Sequence, residues 1–197
     1  MKGKTIGIDA TSLEANAAMK SIVRRDTSES YMEYVRRLAK EAGVEASDEE
    51  LRRADRKRKS KAANEEWKNP HDADAEVTKM KDGATHFAYK AEQAVDLDTG
   101  AIVAITTHGG ATGDTTSVGT TLPKAGLAIA NQIDTPAAEG QYKVHAQGLQ
   151  EVVTDKGYHS DASLQMMAAF GSAELCSGAR AEAQLGGQAG RQDRISS

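Results

Sequence analysis

The stretch Glu151–Ser160, EVVTDKGYHS, constrains the chain more than any other. Val152, Val153 and Thr154 are β-branched, the composition of a short buried strand. Asp155 stands where that strand ends, and Gly157 allows a sharp turn. Ser160 is placed to cap a helix running from Asp161 to about Ala169, with Asp161 at the positive end of its dipole. The order is strand, aspartate, turn, helix. In an open α/β sheet the carboxyl ends of the strands are where ligand chemistry is placed. Asp before Gly is also common in ordinary turns, so the reading of Asp155 depends on the rest of the chain.

A second strand ending in an acid lies at the other end. Lys4–Asp9, KTIGID, puts Ile6 and Ile8 on one face and Asp9 at its close. Leu13–Val23 is helix or loop. Two helices follow as an insertion over about residues 24–65. The first spans Glu29–Glu41, with Tyr31, Tyr34, Val35 and Leu38 at helical spacing and Gly43 as its stop. The second opens on a capping box, Ser47 with Glu50 three residues on, and runs to about Ala63. Arg52, Arg53, Arg56, Lys57, Arg58, Lys59 and Lys61 crowd it. Such a run is either a solvated helix face or a phosphate-contacting surface. The polar loop after it carries Trp67, the only tryptophan, and His71, Asp72, Asp74 and Glu76, which read as a turn-rich loop or a metal cluster.

The clearest alternation is His86–Asp96, with Phe87, Tyr89, Ala91 and, after a register change, Val95 on the apolar side. Leu97–Gly100 is a hairpin turn, and Ala101–His108 returns as a strand. Gly109–Gly113 is glycine-rich but lacks the GK[ST] ending of a phosphate-binding loop. A helix follows from about Thr116 to Gln132, with Pro123 expected to break it or delay its start. The fold class is α/β: a mixed sheet with a helical insertion after the first strand. A helical crossover leaves the first and fourth core strands parallel, which brings Asp9 and Asp155 to one end of the sheet.

Composition narrows the class further. A formal net charge of −4 argues against a free-standing DNA-binding domain, unless positive charge is concentrated locally as in Arg52–Lys61. The single cysteine, Cys176, excludes an intrachain disulfide and a multi-Cys metal site. No apolar run approaches the ~18 residues of a membrane span, and the first residues lack the apolar segment of a signal peptide. A cytoplasmic protein with no membrane partner is expected.

Four blocks in order then carry a resemblance: GIDATSLEANAA at 7–18, KMKDGATHFAYKAEQAVDLDTGAIVA at 79–104, GDTTS at 113–117 and VVTDKGYHS at 152–160. Together they resemble a DDE transposase of a bacterial insertion sequence, in the branch with a D-K-G-Y motif after its fourth strand. The resemblance implies an RNase H-like core over residues 1–170. It implies DNA transposition and recombination by metal-dependent phosphodiester cleavage and strand transfer, in the bacterial cytoplasm and at the nucleoid when bound to DNA. Asp9 and Asp155 match the first two catalytic, metal-holding acids. Mg²⁺ or Mn²⁺ is the implied cofactor, as a two-metal site when complete. DNA, as transposon ends and target, is the implied partner, with homo-oligomers or pairing with an intact transposase. Lys156, Tyr158 and His159 would lie beside the site and contact DNA.

The departures are as informative. After Phe170 the Tyr-Arg-Glu setting of the family's third acid is not found, and neither Glu174 nor Glu182 has it. Residues 171–197 read as a disordered, out-of-frame tail without the fifth strand, and the start as cut close to the first strand. The expectation is a fragment truncated at both ends, incomplete at its C-terminal side and catalytically inactive. The alternative is a non-catalytic DNA-binding or regulatory remnant that acts through the basic helix at 52–61.

Overall fold

The structure is a computed structural model that describes residues 1–57, 63–136, 139 and 143–170, and the backbone of 172–175. It is a mixed α/β fold built on one six-stranded mixed sheet. The strands are β1 (Thr5–Glu14), β4 (Glu76–Lys79), β5 (Thr85–Asp96), β6 (Ile102–Gly109), β7 (Glu151–Thr154) and β8 (Ser172–Leu175). Their order is β4-β5-β1-β7-β8, with β6 also paired to β5. β1 is antiparallel to β5 and parallel to β7, and β8 is parallel to β7. A two-stranded ribbon of β2 (Val23–Arg24) and β3 (Trp67–Lys68) brackets the insertion that holds α1 (Tyr31–Glu41) and α2 (Asp48–Asp55). The remaining helices are α3 (Asp114–Ala130) and α4 (Asp161–Phe170). No helix among the described residues is long and apolar enough to cross a membrane.

The local signals behave as their chemistry dictates. Ser30 and Ser47 each form a full capping box, with Glu33 and Glu50, satisfying donors that would otherwise be orphaned. Gly43 has φ of +68°, a conformation that ends α1 at no steric cost. Ser160 accepts a hydrogen bond from the Ser163 N–H at 3.1 Å and so caps α4. The pairing of β5 with β6 shifts between Ala94 and Val95, but β5 itself alternates without interruption from Ala88 to Asp96, so the register change expected before Val95 is not found along the strand.

Four expectations are corrected. Strand β1 does not end at Asp9 but continues to Glu14, because Asp9–Glu14 find ladder partners in Gln93–Ala88 of the long β5. Pro123 does not break α3, which starts at Asp114 and runs through it. The lost N–H and the ring's clash with the preceding turn are outweighed by Val118, Leu122 and Ile129, all fully buried, at about 1.5–3 kcal/mol each. Helix α2 ends at Asp55 rather than near Ala63, and Arg58, Lys59 and Lys61 lie outside the described residues. The segment expected to start a disordered tail contains β8, so the sheet has its fifth core strand. Ser-Ala-Glu-Leu carries no local strand signal; the open edge of β7 supplies the hydrogen-bonding row that it joins.

Two buried clusters form the core. The larger packs Ile6, Ile8, Ala94 and Val152 of the sheet against Val118, Leu122, Ala125 and Ile129 of α3 and Met167 of α4. The smaller joins Ile22, Trp67, Ala75 and Phe87, with Tyr31 and Tyr34 packed against it. It fastens the helical insertion to the sheet.

At the far end of β1, His86 lies between two carboxylates. Its Nδ1 faces Glu14 at 2.7 Å and its Nε2 faces Asp82 at 3.3 Å. The hydrogen bond to Glu14 raises its pKa above the ordinary 6.5, with the Asp82 contact acting in the same direction. A raised value means that the protonated form favours folding: the contribution is full below pH ~6.5 and is lost as pH rises through the folded-state value. An NMR titration is expected to place the His86 midpoint above that of an unstructured histidine, and Glu14→Gln is expected to lower it. An unshifted midpoint in the wild type refutes the assignment.

Candidate active site

The site is assembled where β1 and β7 run side by side. Ile6 faces Val152, Gly7 faces Val153 and Ile8 faces Thr154 in parallel register, so the next residues, Asp9 and Asp155, are neighbours. The alternation of the pleat sets their direction. Ile6 and Ile8 point into the core under α3, so Asp9 points to the opposite, uncovered face and is exposed. Asp155 is exposed beside it. Both line one cleft of about 470 Å³, together with Thr11, Gln93, Val95 and Leu97.

Each carboxylate is oriented by a backbone donor. Asp9 Oδ1 accepts from the Ala10 N–H at 2.8 Å, and Asp155 Oδ1 accepts from the Gly157 N–H at 2.8 Å. The second bond makes Asp155 the cap of a single 3₁₀ turn, Lys156–Tyr158. The turn is built close against its neighbours: a Cβ at 157 would lie 2.6 Å from Asp114 Oδ2 and 3.0 Å from Asp155 Oδ1, so a larger residue there would displace those carboxylates. No protein donor among the described residues is bonded to the other oxygen of Asp9 or of Asp155.

Behind this pair lies a polar layer that the sequence pattern concealed. The face of β5 covered by α3 is not the apolar set Phe87, Tyr89, Ala91 and Val95. It is Ala88, Lys90, Glu92, Ala94 and Asp96, all buried. The Lys90 ammonium donates to Asp114 Oδ1 and, at 3.0 Å, to the Thr112 carbonyl. Glu92 Oε1 accepts from Ser117 Oγ at 2.5 Å and from the Tyr158 hydroxyl at 3.0 Å. Burial raises the pKa of Asp96, but donors from Thr99, Lys2, Gly3 and Asp98 outweigh it and hold the carboxyl below its ordinary range. Alternation reports side-chain polarity and not which face a helix will cover, so Lys90, Glu92 and Asp114 had no signal of their own.

The remaining candidates divide. Lys156 and His159 are exposed in and just after the turn that follows Asp155, and neither lines the cleft. Tyr158 is corrected as a DNA-contacting residue: it is 1% exposed and sits in the larger core cluster. Arg52, Arg53, Arg56 and Lys57 are exposed on and just after α2. Arg53 lies 3.6 Å from Glu49 one turn back, and Arg36 of α1 is bonded to Asp48. The loop acids have structural duties: Asp72 accepts from the Tyr89 hydroxyl, and Glu76 accepts from the Ala111 N–H at 3.0 Å.

Among the described residues no three His, Cys, Asp or Glu side chains are grouped to hold a metal ion. Glu174 is described only in its backbone, and Glu182 lies outside the described residues. Asp9 and Asp155 remain as a pair of hard oxygen donors, with no Cys or Met among the described residues that line their cleft. Such a pair suits Mg²⁺ or Mn²⁺, which take one or two protein carboxylates and keep several waters. Compared with models of known protein families, with characterised proteins and with solved structures, the chain matches none.

Proposed function

We propose that the chain is the core of an insertion-sequence transposase with an RNase H-like sheet, in which Asp9 and Asp155 hold Mg²⁺ or Mn²⁺ against DNA. The observation that carries this reading is the parallel adjacency of β1 and β7, which sets the two acids side by side in one cleft. The strand order supports the fold assignment: the hairpin β5–β6 flanks one side of β1, and the parallel β7 and β8 flank the other.

Asp9 and Asp155 would hold the divalent ion, which would supply activation of an attacking oxygen and stabilisation of the leaving one in a phosphodiester displacement. The chain's own part is to present two carboxylates from a rigid sheet. Asp9 is held on β1 by its ladder with β5, and Asp155 by the turn that it caps. Lys156 and His159, exposed in the residues after Asp155, would meet the phosphate backbone.

This chain alone would not turn over DNA, because no third acid joins the pair among the described residues. In a strand-cleavage and strand-transfer assay with Mg²⁺ or Mn²⁺, the wild type is expected to match Asp9→Ala at background. Turnover that disappears in Asp9→Ala would overturn the inactivity and establish a complete site.

The exposure of Arg52, Arg53, Arg56 and Lys57 favours a second reading, a DNA-binding remnant that acts alone or by pairing with an intact transposase. Phosphate contacts through these residues would make DNA affinity fall steeply with salt and leave it indifferent to metal. Metal-dependent affinity that survives their replacement by Ala rejects this second reading.

A further inference from the structure

Glu92 is fully buried on β5, the strand next to β1, and its register partner there is Ala10, one residue past Asp9. A carboxylate in that position is costly unless it is bonded, and an apolar residue of similar volume would fill the space without that cost. Its Oε1 gathers two hydroxyls from two different elements. Ser117 Oγ comes from the first turn of α3, and the Tyr158 hydroxyl comes from the turn after β7. Its Oε2 has no partner among the described residues. The phenol is a permanent donor, because burial and the charges of Glu92, Asp114 and Asp9 push its pKa far above the ordinary value.

Tyr158 closes the 3₁₀ turn that Asp155 opens, so whatever fixes the phenol fixes the turn. Asp114, at the start of α3, fills the space above Gly157 and is itself bonded by the buried Lys90. The Asp155 turn is thus held from below by β5 and from the side by α3. A carboxylate on a lone turn would lack that constraint.

We infer that Glu92 and Tyr158 are positioning residues, which lock the 155–158 turn so that the Asp155 carboxylate stays beside Asp9. The inference rests on the metal reading of those two acids.

It is tested on the full chain with Mn²⁺ alone, by EPR of the free ion, alongside thermal melting. Tyr158→Phe leaves the buried Glu92 with the Ser117 hydroxyl alone, so it is expected to stay folded but melt below the wild type, and to bind Mn²⁺ about 10–100-fold more weakly, the usual effect of losing an outer-shell partner. The double variant Tyr158→Phe/Glu92→Met replaces both partners by apolar groups, which is near neutral or stabilising for folding. It is expected to melt at or above the wild type and still to bind weakly. A purely structural network would not lower affinity while stability holds. Wild-type Mn²⁺ affinity in either folded variant overturns the inference.

If the wild type itself binds no Mn²⁺, the metal reading has failed and the positioning is decided separately. The Gly157 amide, bonded to Asp155 Oδ1, is then followed by NMR. A shifted, faster-exchanging Gly157 amide in Tyr158→Phe supports the lock, and an unchanged amide overturns it.

Discussion

Calorimetric titration with Mn²⁺ is expected to show binding by the wild-type chain and none by Asp9→Asn or Asp155→Asn. The loss should exceed about 100-fold in each variant, more than an outer-shell partner would cost. Asparagine is the informative replacement because it removes charge and keeps shape. Its side-chain oxygen can still accept from the Ala10 N–H at position 9 and from the Gly157 N–H at position 155. Strand pairing and the capped turn therefore survive, and the change reports on the carboxylate alone. A hard divalent ion depends on anionic oxygen, for which an amide is a poor substitute. If only one variant loses binding, the two acids do not share an ion. If a demonstrably folded wild type binds nothing, the pair is not a metal site.

Trp67→Ala is expected to give the largest loss of stability, about 3–5 kcal/mol. Trp67 is 1% exposed, and its ring lies 5.2 Å from that of Tyr31 and 5.3 Å from that of Tyr34, edge-on to the latter. The Arg24 guanidinium sits 5.6 Å from the same ring and is paired with Asp26 and Glu66. One side chain thus joins β3, α1 and the strand that starts the insertion. Removing it leaves a cavity among groups that cannot collapse onto one another. For a chain of this length the melting point should fall by roughly 6–20 °C. No residue of the cluster around Trp67 lines the cleft at Asp9, so Mn²⁺ affinity of the remaining folded protein should stay near wild type. A melting point within a degree or two of wild type would show that the insertion is not fastened by this residue.

The two core clusters differ in how openly the sequence announced them. Capping boxes at Ser30 and Ser47, the stop at Gly43 and the turn at Leu97–Gly100 are short-range chemistry, complete within a few residues. They act on orphaned donors and on backbone angles, so they read directly from spacing. The strand-aspartate-turn-helix unit at 151–170 is equally local, and its two ends fall where the β-branched run and Ser160 place them. The meeting of Asp9 and Asp155 was expected from the likeness to an RNase H-like sheet, in which the first and fourth strands are neighbours; the helical crossover adds that the two run parallel.

What remained hidden depended on neighbours distant in sequence. Asp9 sits within β1 rather than at its end because β5 is long enough to pair with five residues beyond it, Ala10–Glu14. β8 forms from a weak strand sequence because β7 offers it an open edge. Above all, the face of β5 that α3 covers was decided by the packing. Period-2 alternation divides a strand into two sets of side chains, and its physics is symmetric between them. Only the helix that lands on one set makes it interior, and here it landed on Lys90, Glu92 and Asp96. Local sequence therefore determined the capped helices, the turns and the strand that Asp155 closes. The tertiary structure decided which charges were buried, because burial is a property of the partner surface and not of the strand.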